Sequence, residues 1–374
     1  MPGIKKISLS LIFLPLILSG CSLGVSPANK NQAAATFKGG MWRSPDLASH
    51  WEQIVNIYST GGQQLNFNAA NITTLAMDPS DKAAIYVGTD AYGIFYSYDY
   101  GKAWLNTIPA KGTINDIAVD PKDKCTIYAA IYNSIYKSID CSRTWQQIYF
   151  ENRPNIYITS LNINHAEPSI VYAGNSDGWL MKSKDHGFSW DVINRFNNPI
   201  RKIFIQNQLD SKIMYVVTAT AGIFRSADGG SDPSAWVNLL NEKVAQIDAP
   251  QDDLKPFNKL PGAASLLSVN IDYSVPDGLI YANTIGIFRL TYGDMWKEVQ
   301  LLPPQRKETV RAVVVNSKNT NEIFYGTAGA FYHSVDNGAN WNVSKVPNSG
   351  WPNILIFSDD GKYLYYGSYA AAKK

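Results

Sequence analysis

The chain has 374 residues, of which 45% are hydrophobic and 17% charged, and its formal net charge is +2. A balance this close to neutrality excludes the strongly basic surface that nucleic-acid binding requires. The histidines are scattered singly, and neither a nucleotide-binding motif nor a zinc-ligand spacing occurs, so the sequence predicts no cofactor and no metal site.

The amino-terminal segment has the organisation of an export signal. Two lysines precede an apolar run from Ile7 to Leu18, which is too short for a permanent transmembrane helix. The run ends in Leu-Ser-Gly-Cys at positions 18–21, and this tetrapeptide resembles the bacterial lipobox, in which the cysteine is lipidated and becomes the first mature residue. The alternative is an ordinary secretory peptide that contains a free cysteine.

The lipobox implies an exported protein that its lipid holds at a membrane. We expect a lipoprotein signal peptide over 1–20, lipidation of Cys21, and a flexible polar tether over 21–40. In a Gram-negative host this anchor predicts a location at the outer membrane, in the periplasm. In other hosts it predicts the outer face of the cell membrane.

A short pattern, Ser-x-Asp-x-Gly-x-x-Trp, recurs along the rest of the chain. Three copies are intact: Ser97, Asp99, Gly101 and Trp104; Ser183, Asp185, Gly187 and Trp190; and Ser334, Asp336, Gly338 and Trp341. Four degenerate copies start at positions 44, 138, 226 and 289. The intervals between the seven starts are 53, 41, 45, 43, 63 and 45 residues, a period typical of four-stranded propeller blades.

Apolar segments recur with the same period and complete each repeat. Six of them precede a motif and end in a polar residue: 72–78, 114–120, 158–164, 200–206, 266–272 and 310–316. Each is typical of a buried strand A, which a B–C hairpin, the motif turn and strand D then follow. The first motif lacks strands A and B, whereas two apolar strands after residue 350 lack a motif. The sequence therefore predicts an all-β, seven-bladed β-propeller over 41–370, closed by a blade composed of both chain ends.

The motif residues suit a tight turn. Asp and Ser side chains hydrogen-bond to nearby backbone groups, glycine adopts a positive φ, and tryptophan packs against the sheet. The pattern resembles the Asp-box, or BNR repeat, of the sialidase-like propeller superfamily, and the resemblance covers 41–370. That superfamily includes sialidases, xyloglucan-cleaving hydrolases with two propellers, sortilin-type sorting receptors and photosystem II assembly lipoproteins. The resemblance implies the fold, gives the motif aspartates a structural role, and leaves the activity open.

Two cysteines lie at the open end of one predicted hairpin. Cys125 precedes strand B of the third blade, and Cys141 lies in the motif turn after strand C. Because an exported protein folds in an oxidising compartment, we expect a disulfide between them. The alternative is a pair of buried thiols.

The candidate binding surface is the propeller face that carries the B–C turns and the D–A connections, since loops on a rigid scaffold usually carry function. The side chains chosen there are Tyr149, Arg153, Arg195, Arg201 and Arg306. The 63-residue interval adds an insertion at 241–264, which is either functional or a solvated excursion.

The hypothesis of an enzymatic function depends on two carboxylates, Asp90 and Asp177. The early arginine signature of sialidases is absent, but the segment 89–96 resembles the one that carries the catalytic aspartate of xyloglucan-cleaving enzymes, which gives Asp90 the role of base. Glycoside hydrolysis requires a second carboxylate, and in that family a second propeller supplies it. Asp177, in the equivalent loop two blades on, is the only obvious substitute.

The leading hypothesis is a non-catalytic, lipid-anchored, monomeric propeller that binds a protein or glycan at the cell envelope. The first alternative is a glycoside hydrolase, xyloglucanase-like or sialidase-like. The second is an assembly factor for a membrane complex, similar to the photosystem II lipoproteins, although their Gly-Trp blade signature is absent. A sortilin-type role lacks the cysteine-rich module that follows the propeller in those receptors.

Overall fold

The computed structural model describes residues 39–61, 63–108, 112–206, 212–240, 246–247, 265–284, 286–291, 295–302 and 308–370. Seven antiparallel sheets contain nearly all of its strands, so the predicted all-β, seven-bladed propeller is confirmed. The described residues contain no helix long and apolar enough to cross a membrane. The signal peptide, Cys21 and nearly all of the tether lie outside the described residues.

Each blade has four strands, A to D from the channel outward. Blade 1 comprises Trp351–Phe357, Leu364–Tyr369, Met41–Ser44 and Glu52–Gln53; blade 2, Ile72–Met77, Ile85–Thr89, Ile94–Ser97 and Leu105–Ile108; blade 3, Ile114–Val119, Ile127–Ile131, Ser134–Ser138 and Gln146–Phe150; blade 4, Ile158–Ile163, Val171–Asn175, Trp179–Ser183 and Asp191–Arg195; blade 5, Ile200–Ile205, Met214–Thr218, Ile223–Ser226 and Val237–Asn238; blade 6, Ser268–Ile271, Leu279–Ala282, Ile287–Thr291 and Met295–Val299; and blade 7, Ala312–Asn316, Asn319–Gly326, Ala330–Ser334 and Asn342–Lys345. Outside this pattern lie a hairpin of Asn56–Ile57 and Leu65–Asn66, a short strand Gln246–Ile247, and one turn of 3-10 helix at Pro233–Ala235.

Blade 1 is built from both ends of the chain, as the sequence predicts. Strand C, Met41–Ser44, pairs antiparallel with strand B, Leu364–Tyr369, in a register that opposes Met41 to Gly367. Gly40, just before strand C, accepts a hydrogen bond from Ser368 N and donates one to Ala70 O of the next connection. The closing blade therefore leaves no unpaired inner edge between the two ends.

The core lies between neighbouring blades. Ile94 and Ile108 of blade 2, for example, are buried in one cluster with Ile117 and Ile127 of blade 3. Three motif tryptophans extend this packing to the backbone: Trp104 Nε1 donates to Ile54 O in the connection of the preceding blade at 2.9 Å, and Trp296 and Trp341 donate in the same way to Leu239 O and Gln300 O. These three motifs thus tie their own blades to the preceding ones.

The motif turns lie between strands C and D, and those of all blades except blade 6 share one hydrogen-bond pattern. In blade 4, Ser183 Oγ donates to Asp185 Oδ1 at 2.7 Å and accepts from Gly187 N at 2.8 Å. Gly187 has φ +91°, and a Cβ there would lie 2.6 Å from a side-chain carbon of Ile148. Ala48 and Ser142 replace this glycine in blades 1 and 3, yet both keep a positive φ, 68° and 66°. The turn geometry therefore persists where the glycine is lost.

Blade 6 replaces the Ser-Asp turn with a buried ion pair. Arg289, at the serine position, donates from Nε and Nη2 to the carboxylate of Asp272 at 2.5 and 2.7 Å. The same guanidinium reaches blade 7 through Asn337 Oδ1 and Thr320 O. Asp272 is 0% exposed, so the bidentate pair supplies the hydrogen bonds that a buried carboxylate requires.

A disulfide joins Cys125 and Cys141 in blade 3, at the hairpin end where the sequence predicts it. The insertion at 241–264 lies outside the described residues except for Gln246–Ile247, whose backbone pairs in parallel with Met295 and Trp296 at the outer edge of blade 6.

Candidate functional site

The channel opens on the face that carries the B–C turns and the D–A connections, which we call the loop face; it includes residues 90–93, 132–133, 151–157, 176–178 and 196–199. A cavity of about 460 Å³ forms the channel mouth on this face. Its lining residues are Thr73, Thr113, Asn115, Thr159, Pro199, Ile200, Arg201, Ala219 and Asn353. A deeper cavity of about 390 Å³ continues between the A strands. Both volumes lie in the range of small-ligand sites.

A ring of β-bulges shapes the mouth. In blades 1 to 5, one residue of strand A near its loop-face end has no opposite residue in strand B. It is the second residue of the strand in blades 2 to 5 and the third in blade 1. The skipped residues are Asn353, Thr73, Asn115, Thr159 and Arg201, and all five line the mouth. Bulges re-aim side chains and are common beside functional sites. Each of these five blades therefore directs one polar side chain towards the mouth.

Most of these side chains also join neighbouring blades. Asn353 Nδ2 donates to Ile72 O at 2.9 Å, and Asn115 Nδ2 donates to Ile158 O at 2.7 Å. Arg201 Nη1 donates to Leu266 O at 2.6 Å, and the arginine itself is exposed. Arg201 is the only charged residue among the described residues that line the mouth.

Below the mouth, a buried carboxylate connects four blades. Asp116 of blade 3 is 1% exposed and accepts hydrogen bonds from Thr74 Oγ1 of blade 2 and Ser160 Oγ of blade 4, both at 3.1 Å. Lys202 Nζ of blade 5 lies 2.8 and 3.0 Å from its two oxygens. The carboxylate therefore has the protein hydrogen-bond partners that a buried carboxylate requires.

A charged and aromatic cluster lies beside the mouth, between blades 3 and 4. Arg153 binds Glu151 through Nε and Nη2 at 2.8 and 2.7 Å, and its Nη1 lies 2.7 Å from Asp177 Oδ2. The guanidinium of Arg153 lies 3.5 Å from the ring centroid of Trp179, and that of Arg195 lies 4.8 Å from it. Both cations therefore stack on one indole.

Glu151 is the hub of this cluster. Its side chain is only 4% exposed, and hydrogen bonds from Arg153 hold the pKa of its carboxyl below the usual value against the opposing effect of burial. Tyr149 Oη donates to Glu151 Oε2 at 3.4 Å, and burial together with that carboxylate raises the pKa of the phenol. The carboxylate of Glu151 and the guanidinium of Arg153 are therefore both held in their ionised forms.

Exposed aromatic side chains surround the cluster on the loop face. Tyr92 and Tyr132, in the B–C turns of blades 2 and 3, are each 46% exposed, and Phe150 is 58% exposed. Tyr132 packs edge-on against Tyr157 with ring centroids 4.7 Å apart. Such rings can stack on sugar rings or on apolar side chains of a partner.

The two candidate catalytic carboxylates occupy separate environments. Asp90 Oδ2 accepts from Asn71 Nδ2 at 2.8 Å, and Thr113 Oγ1 contacts Asp90 O at 3.4 Å, which places this residue beside the mouth. Asp177 is paired with Arg153 instead. Among the described residues no contact joins the two aspartates, and no cluster of His, Cys, Asp and Glu could hold a metal ion.

Four of the five predicted binding residues are described, and three of them, Tyr149, Arg195 and Arg201, lie in strands and not in loops as expected. Arg153 and Arg195 belong to the cluster, and Arg201 lies at the mouth. Tyr149 lies within strand D of blade 3, half-buried with its ring 6.0 Å from that of Trp190, and not in a loop as expected. Arg306 lies outside the described residues.

Sequence reasoning missed Glu151, Trp179 and the bulge ring. Glu151 and Trp179 flank the predicted loops at the end of strand D and the start of strand C, so their positions at strand termini were a usable signal. The bulges had a weaker signal: the second residue of strand A is Thr, Asn or Arg in blades 2 to 5, a position at which strand alternation alone does not require a polar residue.

No protein-family model matches the chain. A curated xyloglucanase from a Paenibacillus species is 23% identical over 350 residues, which is 88% of this chain and 29% of that enzyme. The solved GH74 xyloglucanase of Xanthomonas campestris aligns with a TM-score of 0.60 at 16% identity, over 80% of this chain and 51% of that one. A solved YCF48 chain bound to a D1 peptide aligns with a TM-score of 0.57 at 15% identity, over 84% of this chain and 100% of that one. The chain thus spans less than a third of the curated relatives it matches, and the structural likenesses show the fold.

Proposed function

We propose that this protein is a non-catalytic binding propeller, whose loop face holds a glycan or protein partner at the cell envelope. The observation that carries the proposal is the composition of that face. Exposed Tyr92, Tyr132 and Phe150 lie beside an arginine cluster and an open mouth, and aromatic and arginine side chains are the usual energetic anchors of binding surfaces.

The state of Asp177 supports binding over hydrolysis. Its Oδ2 is 2.7 Å from Arg153 Nη1, so this carboxylate is already in an ion pair. Hydrolysis requires two carboxylates that flank the scissile bond, and Asp90 alone does not supply them. The chain also covers only 29% of the matched Paenibacillus xyloglucanase.

The proposal is tested by screening the purified mature domain on a glycan array and a peptide array. We expect specific binding that Tyr132→Ala or Arg195→Ala weakens about tenfold, the effect of losing one anchor worth about 1.4 kcal/mol. The matched control is Phe188→Ala, which removes a 72% exposed aromatic ring from a motif turn on the opposite face. Equal loss in the control, or unchanged affinity in both loop-face variants, would exclude the loop face as the binding surface.

The lipid anchor is part of the same proposal. Because a complete lipobox precedes Cys21, Cys21→Ser should move the protein from the membrane fraction to the soluble fraction. The measurement is fractionation of cells followed by detection of the full chain. If the variant remains as membrane-bound as the wild type, Cys21 is not the anchor. Binding at the loop face does not depend on that result.

Two other functions remain candidates. A glycoside hydrolase is favoured by the position of Asp90 beside the mouth and by the similarity to xyloglucanases. A role in the assembly of a membrane complex is favoured by the YCF48 chain, whose structure holds a D1 peptide on a propeller that covers 84% of this chain. Peptide binding on the array, without glycan binding, would favour the second of these.

A further inference from the structure

We infer that the channel mouth is a site for a small acidic sugar, of the hexuronate type, with its carboxylate on Arg201 and its hydroxyl groups on the ring of bulged residues. This inference rests on the proposed binding function and specifies the ligand class at the mouth. The site is distinct from the arginine and tryptophan cluster between blades 3 and 4.

The carboxylate position follows from the charge of the channel. Arg201 is the single charged residue among the described residues of the mouth. Its Nη1 is used by Leu266 O, which fixes the guanidinium, and no described residue bonds to its other N–H groups, which can face a planar anion. The deeper Lys202 and Asp116 neutralise each other at 2.8 Å. The described lining of the mouth therefore has one net positive charge and suits one carboxylate.

The hydroxyl positions follow from which hydrogen-bonding groups the ring has already used. Thr73 Oγ1 donates to Ile114 O at 2.5 Å, and the amide N–H groups of Asn115 and Asn353 donate to backbone oxygens. The Thr73 oxygen and the two amide oxygens can still accept hydrogen bonds. A wall of acceptors matches a ligand with several hydroxyl donors.

Charge and donor count argue against other anions. A phosphate carries a charge of about −1.5 to −2 at pH 7, which exceeds the single positive charge of the described mouth. An amino acid brings an ammonium group, and the carboxylate below the mouth, Asp116, is already engaged by Thr74, Ser160 and Lys202. A peptide carboxyl terminus brings one carbonyl acceptor with each N–H donor, so it offers the acceptors of the ring fewer donors than a sugar does. A monocarboxylate rich in hydroxyl groups satisfies both the guanidinium of Arg201 and the acceptors of the bulged residues.

The test is calorimetric titration of the mature protein with D-glucuronate and D-galacturonate, with D-glucose and D-galactose as neutral counterparts. We expect a uronate to bind and its neutral counterpart to bind at least tenfold more weakly. Arg201→Gln should weaken uronate binding about ten- to a hundredfold, since hydrogen bonds to a charged group contribute about 1.5–3 kcal/mol. Glutamine removes the charge and keeps an N–H donor at this position.

Two further variants keep the test decisive. Thr73→Val removes one acceptor at constant shape and should weaken uronate binding a few-fold without changing the preference over the neutral sugar. Arg143→Gln, in a motif turn on the opposite face, should change nothing. Absence of uronate binding, equal binding of neutral sugars, or binding only of peptides with a free carboxyl terminus overturns the inference. If the array ligands still bind and still depend on Tyr132, the proposed function survives that result.

Discussion

Asp116 shows how one side chain can hold several blades in register. Its carboxylate receives hydrogen bonds from Thr74, Ser160 and the amide of Leu161, and an ion pair from Lys202. These partners come from blades 2, 4 and 5, while Asp116 itself belongs to blade 3. Because the group is nearly inaccessible to water, the protein donors must replace its whole hydration shell.

We therefore predict that Asp116→Ala lowers the free energy of unfolding by about 3 kcal/mol, since it leaves the Leu161 amide and two hydroxyls without their acceptor. Urea denaturation at constant m-value measures the change. The control is Asp191→Ala on the exposed outer strand of blade 4, expected to change stability by less than about 0.5 kcal/mol. Equal effects of the two variants would show that the channel network carries no stability.

The motif aspartates give the protein a defined acid sensitivity. Hydrogen bonds from Ser189 and from Thr144 lower the pKa of Asp185 and of Asp140, each to about 2, from about 3.9 in an unfolded chain. A pKa that is lower in the folded state adds stability above the unfolded value, and this stability is lost as the pH falls through the folded value.

The difference in urea midpoint between the wild type and Asp185→Asn should therefore be constant above about pH 5 and shrink between pH 4 and pH 2. The measurement is a series of urea titrations across that range. A difference that stays constant down to pH 2 would mean that the hydrogen bonds of the turn do not lower the pKa of Asp185.

Among the elements, blade 6 shows that a repeat can keep its fold after losing the serine and aspartate of the motif turn. Arg289 replaces the motif serine and forms a bidentate pair with Asp272, which no solvent reaches. Arg289→Met should cost about 3–5 kcal/mol, because it leaves a buried carboxylate uncompensated. Thermal and urea unfolding measure this cost, and Arg289→Met combined with Asp272→Asn should recover part of it. If Arg289→Met alone is as stable as the wild type, the ion pair has no structural role.

The elements were predictable where the signal is local, and the site was predictable only in part: Arg153, Arg195 and Arg201 were identified, but their contacts were not. Turn chemistry and alternating apolar residues mark strands A to D directly in the sequence, and the seven-blade count follows from them. The bulges at Thr73 and Arg201 depend on cross-strand register, which a single strand does not encode. The Arg153 and Trp179 contact joins two blades, so only the fold reveals it.

At the scale of the whole molecule, closure of the ring fixes where a ligand can bind. The two chain ends meet in blade 1, and the A strands of blades 1 to 5 bring their bulged residues to one mouth. A partner on the loop face can contact this mouth, the exposed tyrosines and the arginine cluster together. The opposite face carries the motif turns, whose polar side chains are used to hold the turns themselves.

We propose that the loop face binds without catalysis, and a hydrolysis assay separates the two possibilities. The purified wild-type domain is incubated with xyloglucan, and the release of reducing ends is compared with that from an Asp90→Asn variant. The account predicts no release above the enzyme-free rate from either protein. Release by the wild type that falls about 10²- to 10⁴-fold in Asp90→Asn, as expected for the loss of a general base, would contradict it and identify the protein as a hydrolase.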